Sequence, residues 1–126
     1  MRLKDKVAII TGAGLGMGRE ASVLFGKEGA SIGIFDLNAD TANETAALVQ
    51  KAGGKAHAIQ GDVSNDADVK RAIDETVKAF GKLHMLHANA GVRWKDRDKS
   101  VTETTEENWD KVQAINLRGP FFLTKP

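Results

Sequence analysis

The segment Thr11-Gly12-Ala13-Gly14-Leu15-Gly16-Met17-Gly18 places four glycines directly behind the apolar run Val7 to Thr11. Glycine lets a backbone turn sharply and approach a ligand closely. A helix beginning near Gly16 would aim free N–H groups and the positive end of its dipole at that ligand, which is chemistry suited to a pyrophosphate. The pattern G-x-G-x-x-G fails at Met17 when started at Gly12 and at Arg19 when started at Gly14, whereas T-G-x-x-x-G-x-G fits. A P-loop does not fit, because Gly26-Lys27 is followed by Glu28 within a helical pattern. A turn of the same composition can also exist without a ligand; its position between a strand and a helix favours the binding reading.

Asp36 stands 18 positions beyond Gly18, at the end of the run Ser31 to Asp36, where an acidic side chain can bind the hydroxyls of a ribose. It is also the kind of residue that caps a turn ahead of Asn38 and Asp40. In the ribose role it discriminates: a 2′-phosphate about 4 Å from a carboxylate costs roughly 1 to 4 kcal/mol at effective dielectrics between about 80 and 20. Neither Leu15 nor Leu37 supplies a cation to reverse that preference, so NAD is expected over NADP.

Asn116 precedes Pro120 by four residues. Proline has no N–H, so in a continuous helix the Asn116 carbonyl loses its donor, the helix kinks, and a water can take the carbonyl. Alternatively Gly119-Pro120 simply ends the helix. His84 and His87 lie three apart in a predicted strand, point to opposite faces and cannot jointly hold a metal, so no metal site is expected. His57 has no evident partner. Trp94 stands in a charged loop, where it covers a ligand or packs on its neighbours. Trp109, with Val112, is expected in the core, and Lys95 to Lys99 reads as a solvated loop of balanced charge.

These residues need a frame to hold them. Strands are predicted at Val7 to Thr11, Ser31 to Asp36, Lys55 to Gln60 and Leu83 to Ala88. Helices are predicted over Gly16 to Glu28 and Asp40 to Ala52, then after a cap at Ser64 or Asn65, and finally from Thr105 or Glu106 toward the C-terminus. The third of these has apolar positions at Val69, Ala72, Ile73, Val77 and Phe80. Strand and helix alternate four times, so right-handed crossovers give a doubly wound α/β fold of Rossmann type with strand order 3-2-1-4. The ligand crevice then lies at the carboxyl ends where the first and fourth strands diverge.

Composition narrows the partners. The 126 residues carry 18 basic and 17 acidic side chains, a net charge of +1, with no basic stripe for nucleic acid. Cysteine is absent, which removes thiolate chemistry and fits a reducing, cytoplasmic setting. The longest aliphatic run is Val7 to Ile10, so no membrane span or signal peptide is expected.

Thr11 to Gly18, Asp36, Gly61-Asp62-Val63, Ala88-Asn89-Ala90-Gly91 and Asn116, taken in order, resemble the N-terminal half of a classical short-chain dehydrogenase/reductase. The resemblance covers residues 1–126, read as one dinucleotide-binding domain. It implies that Gly12, Gly16, Met17 and Gly18 surround the pyrophosphate, Asp36 binds the adenosine ribose, and Asp62 with Val63 borders the adenine. It also implies that Asn89, Ala90 and Gly91 support the sheet and the nicotinamide-side ribose, and that Asn116 holds a water on a proton-relay path. Ala88 departs from the family, which often has a first asparagine there.

The same resemblance implies a catalytic serine and Tyr-x-x-x-Lys, and with no tyrosine among these residues that motif is not in them. The sequence therefore reads as the NAD-binding portion of an oxidoreductase acting on an alcohol or ketone, truncated before the later strands and inactive alone. The competing reading is a stand-alone nucleotide-binding or interaction module without redox activity. A fourth strand exposed along one edge points to homo-oligomer formation.

Overall fold

The first predicted strand is buried along its whole length in the computed structural model, which describes residues 1–125. This strand, β1 (Val7–Thr11), lies between β2 (Ser31–Asp36) and β4 (Met85–His87), and β3 (Lys55–Gln60) pairs with β2. All pairings are parallel and the order is β3-β2-β1-β4, as the alternation predicts. The helices are α1 (Gly16–Lys27), α2 (Ala39–Lys51), α3 (Asp66–Phe80), α4 (Glu106–Gln113) and α5 (Gly119–Thr124), the last two joined by a π-helical turn, Ala114–Arg118.

Successive strand residues face opposite layers, so each strand feeds two cores. Ala8, Ile10, Ile32 and Ile34 pack with Ala42 and Val49 of α2, and α1 adds Ala21, Val23 and Phe25 at the margin. Ile9, Phe35 and Ile59 face the other way, onto Val69 and Ala72 of α3 and Leu123 of α5. Each large aliphatic or aromatic side chain buried this way contributes about 1.5–3 kcal/mol. The strand register places Thr11 beside Phe35 and Asp36 beside Gln60. Because the strands are parallel, the segments following β1 to β4 all emerge at one end of the sheet.

Four expectations require correction. The fourth strand is Met85–His87 rather than Leu83 to Ala88. It pairs on one side only, with β1. At its start the Val7 N–H donates to His84 Nδ1, a side chain standing in for a ladder carbonyl; at its end the Asn89 N–H turns back to the His87 carbonyl.

In α3, Thr76 is fully buried while Val77 is 39% exposed. The Thr76 hydroxyl donates to the Ala72 carbonyl, which removes the cost of burying it. It fits against Gly33, where a Cβ would stand 2.5 Å from Thr76 Oγ1.

Trp109 is 57% exposed, and its neighbour Asn108 turns inward instead. The Asn108 amide donates to the Arg97 carbonyl and to Asp98 Oδ1, so a polar tether rather than an apolar stripe docks the start of α4. The final helix does not end at Gly119-Pro120 but runs on through α5 to Thr124. Its ladder shifts by one residue, with the Gly119 N–H reaching the Ala114 carbonyl five positions back.

Candidate functional site

The glycine-rich turn owes its shape to contacts that leave no room for side chains. Gly12 has φ +62°, a conformation that favours glycine, and a Cβ there would lie 2.9 Å from the Ala90 Cα. Gly14 is pressed between Thr41 Oγ1 and Asp36, and a Cβ on it would stand 2.9 Å from the Asp36 carboxyl. A Cβ on Gly18 would strike the Gly12 carbonyl, so Gly18 closes the turn against itself. Gly16 faces open space, and Met17 beside it is 81% exposed.

The first turn of α1 is bare. Leu15 occupies its N-cap without a side-chain hydrogen bond, and no acidic residue stands in the first turn. The other helices that start from loops are capped by their own chain: Asn38 for α2, Asn65 for α3 and Thr105 for α4, each with acidic residues following. The orphan N–H groups of α1 are thus left for an anion, with the helix dipole favouring one.

Asp36 points into the turn. Its Oδ2 accepts the Gly14 N–H at 2.9 Å and its Oδ1 accepts the Asn38 N–H at 3.0 Å. Each carboxylate oxygen keeps a further lone pair, enough for a sugar hydroxyl. The turn-cap and ribose readings of this residue are therefore geometrically compatible.

On the other side of the turn, Asn89 donates its amide to the Thr11 and Gly12 carbonyls, at 3.2 and 3.3 Å. The Ala90 N–H donates to the Thr11 hydroxyl at 3.0 Å. These bonds tie the end of β4 to the end of β1. Asp62 is oriented by Ser64, whose N–H and hydroxyl both donate to its Oδ1, while its own N–H donates to Asp68 Oδ2.

The pieces enclose a cavity of about 220 Å³. Gly12, Asp36, Asp62, Val63, Ala90 and Gly91 line it, six of the residues singled out from sequence. Leu37, noted above beside Asp36, lines it too, and so do Val92 and Ile115, which were not anticipated. Ile115 could not be read from the sequence, because its position depends on the π-helical turn. The volume is below the roughly 300–1,000 Å³ of a drug-sized pocket, which suits a base and sugar edge with the remainder of a ligand lying along the open turn.

Asn116 does not line this cavity. Its side chain clamps the loop after β4: Oδ1 accepts the Val92 N–H at 2.7 Å and Nδ2 donates to the Val92 carbonyl at 3.0 Å. His84 is engaged with the backbone of β1, and His87 stacks on Phe25 with ring centroids 6.3 Å apart. Among the described residues no cluster of metal-ligating side chains occurs, and no helix is long and apolar enough to cross a membrane.

A parallel α/β sheet of order β3-β2-β1-β4, with its glycine-rich turn, acidic strand end and bare helix start gathered at one end, defines a doubly wound fold of Rossmann type. The family model for short chain dehydrogenases matches residues 6–126. The chain belongs to the short-chain dehydrogenase/reductase family, whose members bind a nicotinamide dinucleotide, NAD or NADP. It is 41% identical over 125 residues to an uncharacterized oxidoreductase of Thermotoga maritima, covering 99% of this chain and 48% of the relative. It is 34% identical over 124 residues to cyclopentanol dehydrogenase of a Comamonas species, covering 98% and 48%.

Among solved structures, a substituted variant of a Serratia marcescens short-chain dehydrogenase/reductase superposes with a TM-score of 0.92. The identity is 31%, over 99% of this chain and 50% of that one. A hydroxysteroid dehydrogenase from Escherichia coli gives 0.89 at 31% identity, over 98% and 51%. The chain spans about half the length of the curated relatives it matches.

Proposed function

We propose that residues 1–126 form one dinucleotide-binding unit that takes NAD(H), and that the protein to which it belongs transfers hydride between NAD and an alcohol or ketone. The observation that carries this reading is the cavity in which Gly12, Asp36, Asp62, Val63, Ala90 and Gly91 meet beside the uncapped start of α1. The residues fit the cofactor. Gly12, Gly16, Met17 and Gly18 hold the pyrophosphate near the α1 N–H groups, Asp36 the adenosine ribose, and Asp62 with Val63 the adenine. Asn89, Ala90 and Gly91 brace the turn on the nicotinamide side. Bound there, the cofactor supplies a hydride acceptor or donor; this chain's residues bind and orient it.

Asn116 is assigned a positioning role in proton relay. Its side chain fixes Val92 in the loop after β4, which supports that role. Asp36 without a neighbouring cation at Leu15 or Leu37 supports NAD over NADP. A homo-oligomer in the cytoplasm belongs to the same reading, with the one-sided pairing of β4 supporting the association. The test is calorimetric titration with both cofactors: NAD is expected to bind at least tenfold more tightly than NADP. Equal affinity would remove the role of Asp36, and failure of both to bind would remove the reading.

A further inference from the structure

Gly14 lies between β1 and α1, and side chains from two other elements engage its backbone groups. Its N–H donates to Asp36 at the end of β2, and its carbonyl accepts the Thr45 hydroxyl of α2 at 3.2 Å. Thr45 is fully buried, so its hydroxyl is committed to partners within the chain. The direction it takes is unusual for a helix. A helical serine or threonine commonly donates to the carbonyl four residues back. Ser22 does so to Gly18, Thr76 to Ala72 and Thr124 to Pro120. Thr45 instead reaches across to a segment 31 residues earlier.

Arg19 of α1 accounts for the difference. Its Nε donates to the Thr45 hydroxyl oxygen at 3.0 Å, and its Nη2 donates to the Thr41 carbonyl, four residues before Thr45, at 3.4 Å. A guanidinium is permanently charged and can only donate. Thr45 must therefore accept from Arg19, and its single hydroxyl hydrogen has to point elsewhere. The carbonyl to which it would turn back is engaged by the same arginine, and the Gly14 carbonyl takes the hydrogen instead. Glu44, 3.0 Å from Nη2, holds the guanidinium in that position.

We propose that Arg19 is a positioning residue for the glycine-rich turn, acting through Thr45 on the Gly14 carbonyl. On the reading that this turn carries NAD, Arg19 thereby sets where the pyrophosphate and ribose are held, without contact of its own with the cofactor. Lysine cannot replace it, because one ammonium on a flexible stem lacks the planar fork that serves Thr45 and Thr41 together.

The experiment measures amide hydrogen exchange and calorimetric titration with NAD on the intact protein and on Arg19→Met, Arg19→Lys, Thr45→Val and Thr45→Ser. In the first three variants Gly14 exchange is expected to accelerate about tenfold beyond the change in global unfolding, and NAD to bind about tenfold more weakly, as for loss of an anchoring hydrogen bond. Thr45→Ser keeps the hydroxyl and should stay within about threefold of the unsubstituted protein on both. Arg19→Met combined with Thr45→Val should bind no more weakly than Thr45→Val alone, because both remove one path. Thr76→Val, which loosens the opposite layer, should leave NAD affinity unchanged and so separates positioning from a general loss of stability.

Unchanged Gly14 exchange in Arg19→Met and Thr45→Val, or faster exchange with unaltered NAD affinity, overturns the proposal, as do additive losses in the double variant. An unsubstituted protein that binds no NAD overturns the cofactor reading instead, and faster Gly14 exchange in that event still upholds the anchoring of the turn.

Discussion

Asp36 accepts the N–H of Gly14, so the side chain proposed to read the ribose also holds the glycine-rich turn in place. On that proposal, specificity and loop geometry are joined in one carboxylate. Removing it acts on both.

Asp36→Ala is expected to relax the preference for NAD over NADP and also to weaken NAD by about 1.5–3 kcal/mol, the usual worth of a hydrogen bond to a charged group. Asp36→Asn keeps an acceptor for Gly14 while removing the charge, so it should relax the preference with a smaller loss of stability. Titration of both variants with both cofactors, alongside thermal denaturation, separates the two roles. Unchanged selectivity in both would remove Asp36 from ribose recognition.

Gly14→Ala would place a methyl group against Thr41 and the Asp36 carboxyl. Overpacking of this kind costs about 1–3 kcal/mol, and here it also pushes Asp36 from its station. A lowered unfolding midpoint with weaker NAD binding is expected. Adding Thr41→Ala should recover part of the stability.

Asn116→Ala removes two hydrogen bonds to Val92, both at an exposed position, and is expected to cost about 0.5–1.5 kcal/mol. The more telling readout is local. Amide hydrogen exchange at Val92 should accelerate well beyond the change in global stability, and Asn116→Asp, which retains the acceptor, should restore part of the protection. Unaltered exchange in the alanine variant would show that the clamp does not hold the loop.

Thr76→Val should destabilise by about 1 kcal/mol despite the gain in hydrophobicity, because Thr76 is the buried member of the pair and its hydroxyl bonds Ala72. Val77→Thr, on the half-exposed side, should change stability by less than about 0.5 kcal/mol. Urea denaturation of the two variants tests the assignment, and the reverse order of effects would contradict it.

That pair shows where sequence reasoning loses its grip. β1, β2 and β3 occupy the residues expected of them because short apolar runs bounded by turn residues leave few alternatives. Hydropathy cannot tell Thr76 from Val77, since what admits the hydroxyl is an acceptor one helical turn back and the missing Cβ of Gly33 across the interface.

Trp109 fails for a related reason: Asn108 finds partners in a loop some ten residues earlier, a match invisible to periodicity. The placement of the candidate residues was easier to read. They stand at strand ends, and parallel strands carry their ends to one place whatever the details of packing. Ile115 was missed because a one-residue shift in the helical ladder decides which side chain reaches the cavity.

On the proposed reading, the bare first turn of α1 makes the ligand a component of the fold. Asn38, Asn65 and Thr105 complete their helices from within the chain, whereas α1 would be completed by the pyrophosphate of the proposed cofactor. A ligand that finishes a helix stabilises the native state by mass action, by about 2.7 kcal/mol at a hundred times its dissociation constant. The protein's resistance to unfolding would then track the supply of its cofactor, rising when the dinucleotide is plentiful and falling when it is scarce.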